Sequence, residues 1–383
     1  MDQFTLITGA RQLLTLAAKP GVRRGTAMQD LGVIENGAIL IRNSEIIQVG
    51  FSRRLENLRE ARNAIRIDAG GRVVLPALID PSLFAVGSDS PKRVRQSTGG
   101  KSLQALLSVV RVVARYGTAR TELKVGGRTP AEDMRLLRQS KHFDPKGAHV
   151  VRTWFACARK ASDEREFADS CLEHIEYVKK RRLASFFELE VQNQQTALAA
   201  EVIAAMSASG VACKISWHDF GDATLASLLS ACKIRTVRCL HGADNETVGA
   251  IARSPSILIA IPAERLFEPK VERLNLRGIL DAGGGIAIGT GYDPHRLPVF
   301  NMQVAISLAV LQCDLSPEEA ITAATINAAY ASGLGSQTGS LEVGKSADVL
   351  VLNVSDYREL PLKLGVNNAA AMIRSGNVLF KQI

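Results

Sequence analysis

Eight short apolar runs alternate with segments of helical period between residues 73 and 291, and this repeat limits the possible folds more than any other feature. Several of the intervening segments end in glycine, as helix C-termini do. Strands that alternate with helices favour a parallel sheet, and eight such units favour a (β/α)8 TIM-like barrel whose functional side chains lie at the carboxyl ends of the strands. The runs are VVLPALID, TELKVG, HVVRTWFACA, SFFELEV, VACKISW, TVRCLHG, SILIAIPA and GIAIGTG.

Both ends of the chain show the alternation of β structure instead. The stretch GAILIRNSEIIQVG predicts a hairpin that turns at Asn43 and Ser44. Near the other end, GSLEVGKSADVLVLN and AAAMIRSGNVLFKQ predict further strands, after a helix whose start carries the capping-box pattern of Ser316 and Glu319. We therefore predict a small composite β-sandwich domain from residues 1–70 and 339–383, into which the barrel, residues 71–338, is inserted.

Composition excludes several classes of function. The net charge is +9, but the basic residues are scattered and aromatic residues make up only 5%, so we expect no nucleic-acid partner. The six cysteines form no CxxC pair and are typical of reduced thiols. The chain has no run of about 18 apolar residues and no signal-peptide pattern. We therefore expect a cytoplasmic protein that does not bind a membrane.

Motifs along most of the chain carry a resemblance to a known family. The stretches LGVIENGAILIRNSEIIQVG and ITAATINAAYASGLGSQTGSLEVGKSADVLVLN resemble the N- and C-terminal signatures of the amidohydrolase superfamily. Within it, the chain is most similar to the imidazolonepropionases, which open a cyclic amide. The segments YGTARTELKVG, VVRTWFACA, GVACKISWHDF and GIAIGTGYDP fit the second, third, fifth and eighth barrel strands of that group. The resemblance implies the same barrel fold.

The resemblance also implies a divalent metal, usually zinc, that activates water, but this chain departs from the family at all four ligand positions. The His-x-His pair of the first strand corresponds to Ser82 and Phe84. The fifth-strand histidine corresponds to Ser216, and the eighth-strand aspartate to Gly291. A hydroxyl is a weak zinc ligand, whereas phenylalanine and glycine side chains offer no donor atom. We therefore expect no metal at the inherited position.

The residues that assist chemistry in the family are also changed. The sixth-strand histidine corresponds to Cys239, or to His241 if the alignment shifts, while the fifth-strand acid is retained as Asp219. The second-strand tyrosine and the third-strand histidine correspond to Gly127 and Ala158. The inherited substrate contacts are therefore not expected to survive.

Two rebuilt sites remain as alternatives. His218, His241 and Asp293 lie near predicted strand ends and could together hold one zinc or iron ion. Cys239 beside His241, with Asp219 as the orienting acid, would form a metal-free nucleophilic arrangement. The plainer interpretation is that the histidines are loop residues and that Cys239 is a small buried apolar side chain.

These substitutions favour a non-catalytic pseudoenzyme without a cofactor, which binds a small ligand or a partner at the barrel mouth. The first alternative is a diverged hydrolase that acts on a cyclic amide C–N bond with a rebuilt or absent metal site. The second is a structural or regulatory subunit. Because members of the family often pair through the barrel, the resemblance implies a homodimer.

Overall fold

The computed structural model describes most of the chain, including the strands that carry the candidate site. Residues 141, 164, 196–197 and 223–224 are described without their side chains. The described ranges are 2–84, 108–126, 129–141, 148–157, 164–191, 196–217, 223–239, 244–269, 274–294 and 296–382.

Eight strands from both ends of the chain form one sheet. They are β1 (Phe4–Leu14), β2 (Val33–Arg42), β3 (Glu45–Phe51), β4 (Ile65–Asp68), β5 (Val73–Pro76), β14 (Val349–Leu352), β15 (Ala369–Arg374) and β16 (Asn377–Lys381). Their order is β16-β15-β14-β5-β1-β2-β3, with β4 beside β1. The predicted hairpin is confirmed as the antiparallel pair of β2 and β3, and Asn43 adopts a φ of 55° in the turn.

The predicted barrel is also confirmed. Its strands are β6 (Leu78–Phe84), β7 (Thr118–Gly126), β8 (His149–Cys157), β9 (Phe186–Val191), β10 (Ala212–Trp217), β11 (Ile234–Cys239), β12 (Ile257–Ala260) and β13 (Gly285–Ile288). They follow one another in a parallel sheet from β6 to β13. The sheet nearly closes on itself, because Leu83 bridges to Tyr292 and the Phe84 amide donates to the Tyr292 carbonyl at 2.8 Å.

Helices follow or precede most barrel strands. They are α1 (Ser52–Leu55), α2 (108–115), α3 (Pro130–Lys141), α4 (Glu164–Arg181), α5 (Thr196–Ser209), α6 (Ala223–Ala231), α7 (Asn245–Arg253), α8 (Glu264–Phe267), α9 (Leu276–Asp281), α10 (Met302–Gln312), α11 (Pro317–Ala324) and α12 (Ile326–Ala331). Single 3-10 turns cover Gly25–Gln29 and Tyr357–Leu362. The predicted capping box is confirmed, since Ser316 and Glu319 exchange hydrogen bonds at the start of α11. No helix in the described ranges is long and apolar enough to cross a membrane.

The two parts of the chain meet at a buried ion pair. The Arg120 guanidinium on β7 donates to Asp348 at 2.8 Å, and both side chains are at most 9% exposed. Val73–Pro76 pairs with β14 and β1 in the composite sheet, whereas Leu78 pairs with the barrel strand β7. The predicted division at residues 70 and 71 stays a prediction, and these pairings favour moving it to Ala77.

Candidate functional site

Charged side chains from non-neighbouring strands meet across the barrel interior. Lys124 on β7 pairs with Glu188 on β9, and Lys214 on β10 pairs with Glu122 on β7. At least one strand separates the partners in each pair, so the contacts cross the interior rather than follow the sheet. Successive side chains of a strand point to opposite faces of the sheet. Because these four side chains meet across the barrel, they lie on its inner face. All four are at most 3% exposed.

The pair nearer the strand ends contacts Ser216, which the resemblance aligns with a metal ligand. Lys124 Nζ lies 2.7 Å from Glu188 Oε1, and the Ser216 hydroxyl donates to the same oxygen at 2.7 Å. Burial by itself raises the pKa of Glu188, but the Lys124 charge and these hydrogen bonds outweigh it and hold the pKa below its usual value. Glu188 is therefore a carboxylate with one oxygen, Oε2, that has no hydrogen-bond partner among the described residues.

The second pair lies deeper in the barrel. Lys214 Nζ contacts Glu122 Oε2 at 2.5 Å and donates to the Ala331 carbonyl at 2.8 Å, while the Thr153 hydroxyl donates to Glu122 Oε1 at 2.7 Å. Burial lowers the pKa of Lys214, and the Glu122 charge opposes that shift. The removal of two ion pairs from water costs free energy. The folded barrel therefore depends on each buried charge keeping its partner.

Phe84 makes part of the predicted ligand cluster apolar. Its ring packs edge-on against Phe155, with centroids 5.1 Å apart and an interplanar angle of 88°. Lys124 Nζ lies 5.3 Å from the centroid of the Phe84 ring. Phe84, Phe155 and Cys157 form a small buried cluster at the ends of β6 and β8. A phenyl ring and a lysine ammonium therefore lie beside each other at the end of β6, where the family has a metal ligand.

Asp80 fixes the neighbouring strand ends. Its carboxylate accepts hydrogen bonds from the Ser82 amide and the Thr290 amide, each at 3.1 Å, and from the Thr290 hydroxyl at 2.5 Å. Burial raises the pKa of Asp80 to about 6, although these hydrogen bonds act in the opposite direction. The contacts tie β6 to the segment after β13. Ser82 is fully buried there, and its hydroxyl has no hydrogen-bond partner in the described part of the chain.

Gly291 occupies a position that a larger side chain would not fit without rearrangement. Its φ is 63°, in the left-handed region that favours glycine. A Cβ atom added here would lie 2.6 Å from Ile261 Cγ2 and 3.0 Å from Leu297 Cδ2. The backbone and the packing around Gly291 therefore suit a glycine better than the aspartate that the resemblance implies at this position.

The residues at the four inherited positions do not fit a divalent metal. They supply two hydroxyls, a phenyl ring and a glycine, and the Ser216 hydroxyl already donates to Glu188. The Lys124 ammonium, which is bonded to the same Glu188 oxygen, would repel a second cation. Within the described ranges, no three His, Cys, Asp or Glu side chains are grouped in a way that could hold a metal ion.

A charged rim surrounds the pocket above Phe84. Arg238 donates to Glu264 at 2.9 Å, and Arg296 makes a two-point contact with Glu268. The Glu268 carboxylate raises the pKa of Arg296, so the guanidinium is always charged. Arg238 is 6% exposed, and its Nε has no acceptor among the residues described. The pocket lining combines this rim with Phe84, Phe155, Glu190, Phe267, Gly291, Asp293 and Leu297.

The structure brings only some of the predicted site residues together. Burial raises the pKa of the Cys239 thiol to about 12, which keeps it protonated near neutral pH and argues against a nucleophilic role. Asp293 is 3% exposed and lies on the pocket wall. His218, Asp219 and His241 lie outside the described residues, as do Gly127 and Ala158. Both rebuilt sites therefore stay predictions.

Sequence reasoning missed the two buried ion pairs. Their signal is present in the strands, where charged residues stand two apart in otherwise apolar or neutral surroundings: Glu122 and Lys124 in TELKVG, and Glu188 and Glu190 in FFELEV. A spacing of two places both side chains on one face of a strand. The pattern could have indicated inward-pointing charges, but it could not have indicated which charge meets which across the barrel.

Comparison with known proteins agrees with this architecture. Residues 156–379 match the model of the amidohydrolase family. Imidazolonepropionase from Deinococcus radiodurans is 30% identical over 412 residues, which cover 97% of this chain and 98% of that protein. Imidazolonepropionase from Symbiobacterium thermophilum is 28% identical over 420 residues, which cover 98% of this chain and 96% of that protein.

Solved structures share the fold at lower identity. Guanine deaminase from E. coli superposes with a TM-score of 0.69 at 16% identity, with both chains covered completely. An amidohydrolase from a Sargasso Sea environmental sample gives a TM-score of 0.73 at 17% identity, over 99% of this chain and 93% of the other. The barrel, the composite β domain and the matched sequence together show that this chain belongs to the amidohydrolase family and is imidazolonepropionase-like.

Proposed function

We propose that this protein is a metal-independent member of the amidohydrolase family, a pseudoenzyme that binds a small ligand or a partner at the barrel mouth. The observation that carries the proposal is the Lys124–Glu188–Ser216 contact beside Phe84, in a barrel whose eighth-strand position is the tightly packed Gly291. The Lys124 ammonium and the Glu188 carboxylate compensate each other's charge, and the ammonium would repel a metal cation. This arrangement supplies no activated water.

Two buried polar atoms near these positions lack protein partners among the residues described, although neither lines the pocket beside Phe84, whose volume of about 20 Å³ leaves room for about one water. Glu188 Oε2 can only accept a hydrogen bond, and the Ser82 hydroxyl can accept or donate; neither has a protein partner among the residues described. A buried polar group without a partner costs about 1–3 kcal/mol, which a bound ligand or an ordered water would recover. We infer that a ligand of this protein is a small amide, urea or N–H heterocycle, because the relatives are imidazolonepropionases and an imidazolone belongs to this class.

Elemental analysis of the purified full-length protein tests the metal-independent part of the proposal. We expect far less than one equivalent of zinc, iron, manganese or nickel per chain after purification without chelators, and no increase after dialysis against zinc or iron. About one tightly held metal per chain would overturn the proposal. It would instead favour a site rebuilt from Asp293 and residues such as His218 and His241.

Activity measurements separate the pseudoenzyme from the diverged hydrolase. We expect no turnover of imidazolone propionate, a hydantoin or a dihydropyrimidine, with or without added metal. We also expect at least one N–H-bearing compound of this panel to raise the melting temperature. Turnover that is lost in Asp219→Asn or His241→Ala, but retained in an exposed control such as Arg53→Gln, would support the hydrolase instead.

The remaining predictions concern assembly and location. We propose a homodimer, because the family resemblance implies pairing through the barrel, and a cytoplasmic location. Light scattering coupled to size-exclusion chromatography measures the first directly: a mass near 41.2 kDa at all concentrations would contradict the dimer. Fractionation of the source cells measures the second.

A further inference from the structure

An open cleft lies at the end of the barrel opposite the mouth. It is bordered by Ala212, Ile234 and Ile257, which begin or adjoin the starts of β10, β11 and β12. The mouth lies at the other ends of the same strands, roughly 17 Å away for a six-residue strand at about 3.3 Å per residue. The cleft therefore shares no lining residue with the candidate site described above.

The cleft has the size and surface of a small-molecule site. Its volume is about 650 Å³, within the range of roughly 300–1,000 Å³ that is usual for ligand pockets. Its walls are mainly apolar and combine strand starts with residues of the flanking segments: Val22, Val211, Ala212, Ile234, Pro255 and Ile257. Tyr330 on α12 closes one side, and its hydroxyl accepts a hydrogen bond from the Gly21 amide at 2.7 Å, which fixes the N-terminal segment over the cleft.

The charged groups of the cleft have a single sign. Lys233 and Arg235 are the charged side chains of the lining, to which no Asp or Glu from the described ranges contributes. Neither cation has a carboxylate within ion-pair distance in the part of the chain that the structure describes. This differs from the mouth, where Arg238 and Arg296 are both paired with glutamates.

Arg235 is held in a fixed orientation rather than left free in solvent. Its guanidinium carbon lies 5.4 Å from the centroid of the Phe186 ring, and Nη1 donates to the Tyr330 carbonyl at 3.1 Å. Its Nε is buried without an acceptor among the described residues, and so is the Ser207 hydroxyl on the cleft wall. A pre-oriented guanidinium with an unused donor is well suited to bind a planar oxyanion.

We propose that this cleft binds a small amphipathic carboxylate, with its apolar body against the strand starts and its carboxylate at Arg235 and Lys233. The apolar walls account for the body of the ligand, and the two cations, which have no carboxylate partner among the described residues, account for its charge. The proposal is independent of the function assigned to the mouth, because the two sites lie at opposite ends of the barrel.

Titration calorimetry of the full-length protein with 2-naphthoate tests the proposal, with 2-naphthamide as the uncharged analogue. We expect saturable binding of one naphthoate per chain, at least tenfold tighter than that of the amide and weakened by salt. The double variant Lys233→Gln/Arg235→Gln should weaken naphthoate binding at least tenfold and leave amide binding unchanged. The variant Val211→Trp, which fills the cleft, should weaken both.

The control variant Arg53→Gln/Arg54→Gln removes the same charge from exposed positions on α1 and should leave binding unchanged. Circular dichroism and thermal melting establish that each variant is folded. Three results would overturn the proposal: no naphthoate binding up to millimolar concentration, equal binding of naphthoate and the amide, or equal weakening by the α1 control. A shift to dimer that depends on Val211 and not on ligand would also overturn it, by assigning the cleft to a second copy of the chain.

Discussion

Strands surround both the core of the composite β domain and the interior of the barrel, but the first contains apolar side chains and the second contains charged ones. The β-domain core packs hydrocarbon side chains such as Ile7, Leu13, Ile39 and Ile41. The barrel interior instead holds two buried ion pairs. Burial of apolar surface stabilises a fold directly, whereas a buried ion pair gains little over an apolar replacement. The two regions should therefore respond differently when a single buried side chain is replaced.

The sharpest test of this difference removes one charge of a pair. Lys124→Met should lower the free energy of unfolding by about 3–5 kcal/mol, because it leaves Glu188 buried without its cation. Urea unfolding followed by the fluorescence of the buried Trp154 and Trp217 measures the loss. The double variant Lys124→Met/Glu188→Leu should recover most of it. If the two single losses simply add in the double variant, the pair is not coupled and the comparison fails.

The next largest effect is a pH dependence that originates in the barrel. The pKa of Asp80 is raised to about 6 in the folded protein, from 3.8 as the reference value for the unfolded chain. The folded state therefore binds the proton more tightly. The stability from Asp80 is fully present below about pH 4, declines as the pH rises, and is lost above about pH 6, a difference of about 3 kcal/mol.

The nearly isosteric Asp80→Asn variant should lack this decline. The measurement is the difference in unfolding free energy between wild type and variant at pH 4.5 and at pH 7. We expect wild type to lose stability relative to the variant across this interval. A difference that stays constant or has the opposite sign would show that Asp80 is not the titrating group.

A smaller effect is expected at Gly291, which the resemblance aligns with a metal-binding aspartate. Gly291→Asp restores the side chain that the family has, but it should lower the free energy of unfolding by about 1–3 kcal/mol, through left-handed backbone strain and contact with Ile261. Chemical denaturation measures the loss, and Gly71→Ala, at a positive-φ glycine with open space around it, separates backbone strain from crowding. If Gly291→Asp leaves the free energy of unfolding unchanged or raises it, the position still accommodates a metal-ligating side chain.

The smallest expected effect lies in the β domain. Ile41→Val removes one methylene from a fully buried side chain and should cost about 0.5–1.5 kcal/mol. Because Ile41 packs in a cluster of apolar side chains and its strand partner Thr5 does not titrate, this loss should be the same at pH 4.5 and pH 7. A pH-dependent loss would indicate that the two regions are coupled and would weaken the contrast between them.

Much of the fold could be predicted from local patterns. The alternation of apolar runs with helical segments gave the barrel strands, and the turn at Asn43 and the capping box at Ser316 were visible as short motifs. The division between the domains was harder to predict. The run VVLPALID is continuous in sequence, but Val73–Pro76 joins the composite sheet and Leu78 joins the barrel, because strand pairing depends on neighbours that are remote in the chain.

The candidate site divides in the same way. The sequence by itself predicted that Ser82, Phe84, Ser216 and Gly291 stand at the ligand positions, because the motif resemblance aligns them there. The tertiary structure alone decided that Lys124 reaches Glu188 across the barrel and that Gly291 is packed against Ile261. Contacts across a closed barrel depend on strand register and curvature, which no local pattern encodes. The loss of metal ligands could therefore be predicted from the sequence. Only the fold showed that Lys124 and Glu188 lie beside two of the aligned positions, Phe84 and Ser216.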